Sequence, residues 1–210
     1  MKIVKYSKVI NFVRTLAIIV AASLIGTSVH AEPTDALMRL LYASEFTAVD
    51  QAASSSNSAL SELFSPDAET DNFGNSMKTF YRGMKTTDYD YLRSNSEVKP
   101  STETCVSPNQ AYAAKYATQA DETLAEIRVK YSLLPLLLIQ GRSANSGTRN
   151  LGAPLTDLVD VNSGWKNELQ VMFKKETDSN NNNNVVVNIC LGTKGVELFE
   201  VESVNSVTVN

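Results

Sequence analysis

The stretch Thr123-Leu124-Ala125-Glu126-Ile127-Arg128-Val129-Lys130-Tyr131-Ser132-Leu133 decides the fold class. Its odd positions read Thr, Ala, Ile, Val, Tyr, Leu, and its even positions from Leu124 read Leu, Glu, Arg, Lys, Ser. A period of two means one face in the core and one in water, which is a half-buried strand. A helix through Leu124, Ile127, Tyr131 and Leu134 would bury Val129 poorly, and Ile127, Val129 and Tyr131 all favour strands. Pro135 then predicts an edge, bulge or bend before Leu136 to Ile139.

Downstream, the same period recurs. Trp165, Leu169, Val171 and Phe173 alternate with charged or polar neighbours, and Val185 to Leu191 reads as a further strand. Thr177 to Asn184, with its asparagine tract, reads as the hairpin turn between them, because asparagine tolerates left-handed backbone. Gly192 to Gly195 predicts a tight turn, and Val196 to Val209 a last strand, bulged near Phe199.

Upstream, the period is helical. Thr34 or Asp35 can cap a helix carrying Leu37, Leu40, Leu41, Ser44 and Ala48 on one face, broken by the polar run Ser54 to Ser58. Leu60, Leu63 and Phe64 suggest one more turn before Pro66. Phe73, Met77, Phe80, Tyr81 and Met84 fall at i, i+4, i+7, i+8 and i+11 and predict a second helix. A short helix follows from Asp88 to Ser96, and another from Asn109 with Tyr112 and Tyr116 on one face.

Helices first and strands later give an α+β class: N-terminal helices packed on one face of a C-terminal antiparallel sheet of about four strands. That order resembles the helix-plus-curved-sheet cone of NTF2-like domains, and the turn Asn162-Ser163-Gly164-Trp165 is similar to one found there. The likeness implies a fold and no function.

The first residues set the compartment. Lys2, Lys5, Lys8 and Arg14 form a basic segment without acids, Leu16 to Ile25 an apolar run of about ten residues, and Val29-His30-Ala31 a small-residue cleavage site. Such a run is too short to span a bilayer. Residues 1–31 are therefore expected to be a cleavable signal peptide and residues 32–210 one exported domain, periplasmic or secreted, with no membrane span after cleavage. The absence of an Asn-x-Ser/Thr acceptor leans toward a bacterial source.

Removing that segment takes away four of the 19 basic residues and none of the 23 acids, moving the net charge from −4 to −8. So acidic a surface repels phosphate backbones, so nucleic acid is not an expected partner. The single histidine, His30, leaves with the signal. Without it there is no Ser-His-Asp or Cys-His arrangement and no imidazole metal site. No metal, cofactor or catalytic residue is assigned from sequence. Cys105 and Cys190 are the only cysteines, and in an exported chain they are expected to pair, closing a loop worth about 4–5 kcal/mol by chain entropy.

Two stretches could carry a site. Gly141-Arg142-Ser143-Ala144-Asn145-Ser146-Gly147-Thr148-Arg149 reads as a polar loop in which Arg142, Ser143, Asn145, Thr148 and Arg149 could hold an anion or a partner. It matches no phosphate-loop spacing. The alternative is an ordinary strand connection. Asp88, Tyr89, Asp90 and Tyr91, with Arg82 and Arg93 nearby, are the second candidate; there a helix N-terminus explains the acids more simply. Glu197, Glu200 and Glu202 lack the spacing of a calcium loop. The reading that follows is an exported, non-enzymatic binding protein, inhibitor- or immunity-like, contacting a protein partner or a small ligand. The alternatives are a histidine-independent hydrolase or isomerase using Asp, Tyr and Arg, and a structural component of an envelope complex.

Overall fold

In the computed structural model, residues 35–101, 104–161, 171–178 and 184–208 are described. The chain divides into two compact units, Met1–Ala43 and Ser44–Asn210. Helix α1 (Asp35–Leu41) is the described part of the first. Helix α2 (Ala43–Ala53) opens the second and buries Phe46, Val49 and Ala52 at helical spacing.

After the Ser/Asn break comes α3 (Ser58–Phe64), capped where Asn57 Oδ1 accepts the Ala59 N–H at 3.1 Å. Its far end is capped from elsewhere. Lys78 is buried on the next strand, and its Nζ donates to the carbonyls of Glu62 at 2.6 Å and Ser65 at 2.9 Å. A cation there complements the negative end of the helix dipole. Burial pulls the Lys78 ammonium below its ordinary value, with Asp67 and Glu62 offsetting part of the effect.

The expected second helix is instead strand β1 (Met77–Lys85). Met77, Phe80 and Met84 are buried, as the helical pattern required, but through a strand whose alternation is broken by inward Lys78. Phe73 is 91% exposed, at the tip of a turn that sequence alone did not mark. Asp71 builds that turn: its Oδ1 accepts the N–H of Phe73 and of Asn75, both at 2.8 Å, and Gly74 takes a positive φ of 83° that a side chain would resist.

Helix α4 (Thr86–Asn95) follows at once, and Ser96 in left-handed backbone stops it. Strand β2 (Thr104–Val106), helix α5 (Gln110–Ala114) and strand β3 (Glu122–Lys130) come next. β3 is the alternating stretch, and it buries Leu124, Ala125, Ile127 and Val129. The bend expected at Pro135 is helix α6 (Leu133–Ile139), apolar on almost every side and sunk in the core. Proline sits in its first turn, where no backbone donor is needed.

The expected polar loop contains short elements, β4 (Gly141–Ser143) and α7 (Ser146–Arg149). β5 (Val171–Asp178) and β6 (Asn184–Leu191) follow. The earlier part of the Trp165 strand, and the turn starting at Asn162, lie outside the described residues. The long last strand is instead a 3-10 turn (Gly195–Leu198) and β7 (Ser203–Val207).

The class is α+β, with strands in two sheets. One is antiparallel, in the order β1-β3-β7. The other runs β2-β6-β5-β4, with β4 parallel to β5 and the remaining pairs antiparallel. They are linked where Tyr81 of β1 and Ser107, just past β2, exchange backbone hydrogen bonds of 2.7 and 2.9 Å. One core joins both sheets, with Phe80 against Phe199 and Phe64 against Phe173 at centroid distances of 5.7 and 6.3 Å. Full burial of each such ring contributes about 1.5–3 kcal/mol.

Candidate functional site

A cleft of about 240 Å³ opens where the two sheets meet. Five elements build it, and the register explains why these residues share it. Cys105 stands opposite Cys190 in the β2–β6 pair, and the two form a disulfide spanning 85 positions. The pairing expected from sequence is therefore present, with Cys105 lining the cleft. On the neighbouring pair, Lys174 stands opposite Asn188, and Glu176 follows two residues on, pointing the same way. From β1 come Tyr81, Arg82 and Gly83, and from α5 and its exit come Tyr112 and Tyr116.

Gly83 makes the wall possible. A Cβ there would overlap the backbone carbonyl of Tyr116, so only glycine lets the α5 exit lie against β1. Asn109 sets the start of the helix by accepting the Tyr112 N–H at 2.8 Å, and its Nδ2 donates to Glu62 at 2.8 Å. The rings of Tyr112 and Tyr116 lie tilted at 5.8 Å, with their hydroxyls 3.2 Å apart. Lys115 lies 5.0 Å from the Tyr112 ring centroid and forms an ion pair with buried Asp178. Burial above all, then the Tyr116 hydroxyl and the charge of Glu176, pushes the Tyr112 phenol well above its ordinary range.

Arg82 is the central charge. Its Nη1 donates to the Cys105 carbonyl at 2.6 Å, which ties the guanidinium to the disulfide strand. Among the described residues it has no ion-pair partner at salt-bridge distance. Burial pulls its guanidinium below the ordinary value, and Asp88 counters only part of this. A second hollow of about 120 Å³ lies on its other side, walled by Met84, Leu92 and Val98, with Asp88 and Lys99 paired at 2.7 Å. In the first cleft, Glu176 is held by Lys174 at 3.0 Å. A fork of guanidinium donors without a carboxylate at salt-bridge distance suits an anion, and the exposed Tyr116 ring suits a flat ring.

The family comparison covers this region. The profile of the PT3 toxin domain matches residues 76–205, from the residue before β1 into β7 and more than half of the chain. The chain belongs to the PT3 toxin domain family. No curated protein matches it. The matched part of the PT3 domain contains every residue that lines the cleft. A toxin domain closed by an intrachain disulfide fits a secreted protein, and among the described residues of this PT3 chain no helix is long and apolar enough to cross a membrane.

The residues singled out from sequence lie elsewhere in the PT3 domain. Ser143 and Thr148 are fully buried. Ser143 Oγ donates to the Asn145 carbonyl at 2.7 Å, and Thr148 Oγ1 accepts the Lys175 N–H at 3.0 Å. Asn145 caps α7, Arg149 pairs with Asp160 at 2.8 Å, and Arg142 donates to its neighbour's carbonyl, that of Gly141. None of the five lines either cleft. Of the second group, Asp88 lines the smaller hollow, Tyr89 is buried, Asp90 is exposed, and the Tyr91 hydroxyl lies 3.5 Å from Glu97. Sequence reasoning noted Arg82 only as a neighbour of the Asp88 to Tyr91 group and not as a site residue. A glycine inside a strand, beside an arginine, was the available signal.

Proposed function

We propose that this is an exported toxin-domain protein that binds a small anionic ligand with a flat ring, of the nucleotide class, in the Arg82 cleft. The supporting observation is Arg82: a half-buried guanidinium between two hollows, held by one backbone carbonyl and with no carboxylate at salt-bridge distance among the described residues. Buried charge is paired in folded proteins, so a cation left this way calls for an anion. Phosphate meets the planar fork on two N–H groups, and a base meets the Tyr116 ring. The signal-like segment over residues 1–31 supports export, and membership of a toxin family supports a protein target outside the producing cell. In this reading ligand binding is the function, with no catalytic step assigned.

Titration calorimetry of the oxidised protein against adenosine mono- and dinucleotides and inorganic phosphate tests this. Wild type should bind at least one nucleotide more tightly than phosphate. Arg82→Met should weaken that binding by about tenfold or more while leaving the melting temperature within a few degrees. Equal binding by wild type and Arg82→Met would sink the assignment.

One observation favours an enzymatic second reading. The Glu176 carboxylate stands in the same cleft, steadied by Lys174, where it could stabilise positive charge developing on a bound sugar. Chromatographic loss of bound nucleotide over hours, abolished in Glu176→Gln with binding retained, would select it. An unchanged nucleotide pool would select pure binding.

A further inference from the structure

Among the described residues, three of the four edge strands, β1, β2 and β4, are each met by another segment at an isolated bridge, and β7 is not. The outer side of β2 is met by β1 through Ser107 and Tyr81. The outer side of β4 is met by the segment around Asp160, where Ser143 takes the Val159 carbonyl at 2.9 Å and gives its own carbonyl to Val161 at 2.8 Å. β7 pairs with β3 on one side, and among the described residues nothing pairs with it on the other. Half of its backbone donors and acceptors therefore face outward.

Solitary edges are normally blunted by lysine, proline or a bulge. β7 has none of these. Ser203, Val204, Asn205, Ser206, Val207 and Thr208 carry no charge, and the strand is held straight by a continuous register from Leu124↔Val207 to Arg128↔Ser203. Glu200 and Glu202 stop just before it.

We infer that β7 is a self-association edge: it pairs antiparallel with β7 of a second copy of this chain, making one sheet of six strands. The occupant follows from charge and symmetry. A two-fold axis through Asn205 sets Ser203 opposite Val207, Val204 opposite Ser206, and Glu202 opposite Thr208. No like charges meet, although the chain as a whole is acidic. The same edge on both copies closes the contact and leaves neither β7 open. A basic strand from another protein would find no acid from Ser203 to Thr208 to recognise.

Sedimentation velocity of the full oxidised chain over a wide concentration range tests this, with Ser206→Lys and Ser206→Glu as variants. Ser206 is exposed, so either charge is compatible with the fold, and circular dichroism with thermal unfolding checks this. Wild type should dimerise with rising concentration. Each variant alone should self-associate about two- to fivefold more weakly, because the axis sets the two like charges diagonally on one face, within reach of long side chains. An equal mixture of the two should restore the dimer, since lysine then lies diagonal to glutamate on the same face. A wild type that stays monomeric at its highest soluble concentration would overturn the inference. So would a dimer indifferent to both variants, or a mixture that fails to recover.

Discussion

The β4–α7 segment and the Arg82 cleft contain similar chemistry and do different things with it. Each has arginine, serine and an asparagine side chain beside a strand. In the first, most polar atoms bond within the fold: Ser143 bonds Asn145, Thr148 takes a backbone N–H from β5, and Arg149 pairs with Asp160. That leaves buried Arg149 Nε and Asp160 Oδ1 without a hydrogen bond, away from either cleft. In the second, Arg82 spends a hydrogen bond on a carbonyl and turns the rest of its fork toward an opening. A polar cluster becomes a candidate site when bonding capacity the fold leaves unused also lines an opening.

The largest test of that contrast is the disulfide, which belongs to the cleft and not to the segment. Cys105→Ser with Cys190→Ser should lower unfolding stability by about 4–5 kcal/mol, read by urea denaturation. It should also weaken nucleotide binding beyond the loss of folded fraction, since the Cys105 carbonyl anchors Arg82. Retained affinity in the folded double variant would detach the bridge from the site.

Gly83→Ala should come next, at about 1–3 kcal/mol, because its Cβ would overlap backbone instead of a yielding side chain. The quenching of a probe on Tyr116 should change with it if the α5 exit is displaced from β1.

Thr148→Val probes the other region. It strips the Lys175 N–H of its acceptor and should cost about 1–3 kcal/mol while leaving ligand affinity as in wild type. A fall in affinity at full folding would make the two regions one site and erase the contrast.

The smallest effect concerns pH. The folded Tyr112 phenol ionises well above its ordinary value of about 10. Between those two values the unfolded chain has lost a proton that the folded chain keeps, so this group stabilises the fold below pH 10 and loses that contribution as pH rises toward the folded pKa. Tyr112→Phe should therefore flatten the decline in urea midpoint between about pH 10 and 12. An identical decline in the variant would assign the alkaline sensitivity to other groups.

Local signals were legible wherever a residue's neighbours in sequence are also its neighbours in space. The alternation of β3, the helix start at Asn109, and the helix expected from Asp88 to Ser96 and found from Thr86 to Asn95 are of this kind. β1 was misread as helix because Phe80 and Met84 happen to keep helical spacing, while Lys78 breaks the strand alternation. That lysine points inward for the carbonyls of Glu62 and Ser65, thirteen or more positions away. The last strand was drawn too long because Val196 to Phe199 turns into the core, where Phe199 meets Phe80.

By itself the sequence determined the α+β class, the pairing of Cys105 with Cys190, and the lack of any histidine beyond residue 30, because composition and periodicity depend only on neighbours along the chain. Only the tertiary structure decided that Arg82, Cys105, Tyr112, Glu176 and Asn188 share one cleft. They come from five elements spread over more than a hundred positions, and their meeting depends on sheet register and on one glycine clearance at Gly83. It also decided which polar groups the fold had already satisfied. A hydrogen bond is a relation between two positions, and a chain read one position at a time does not contain it.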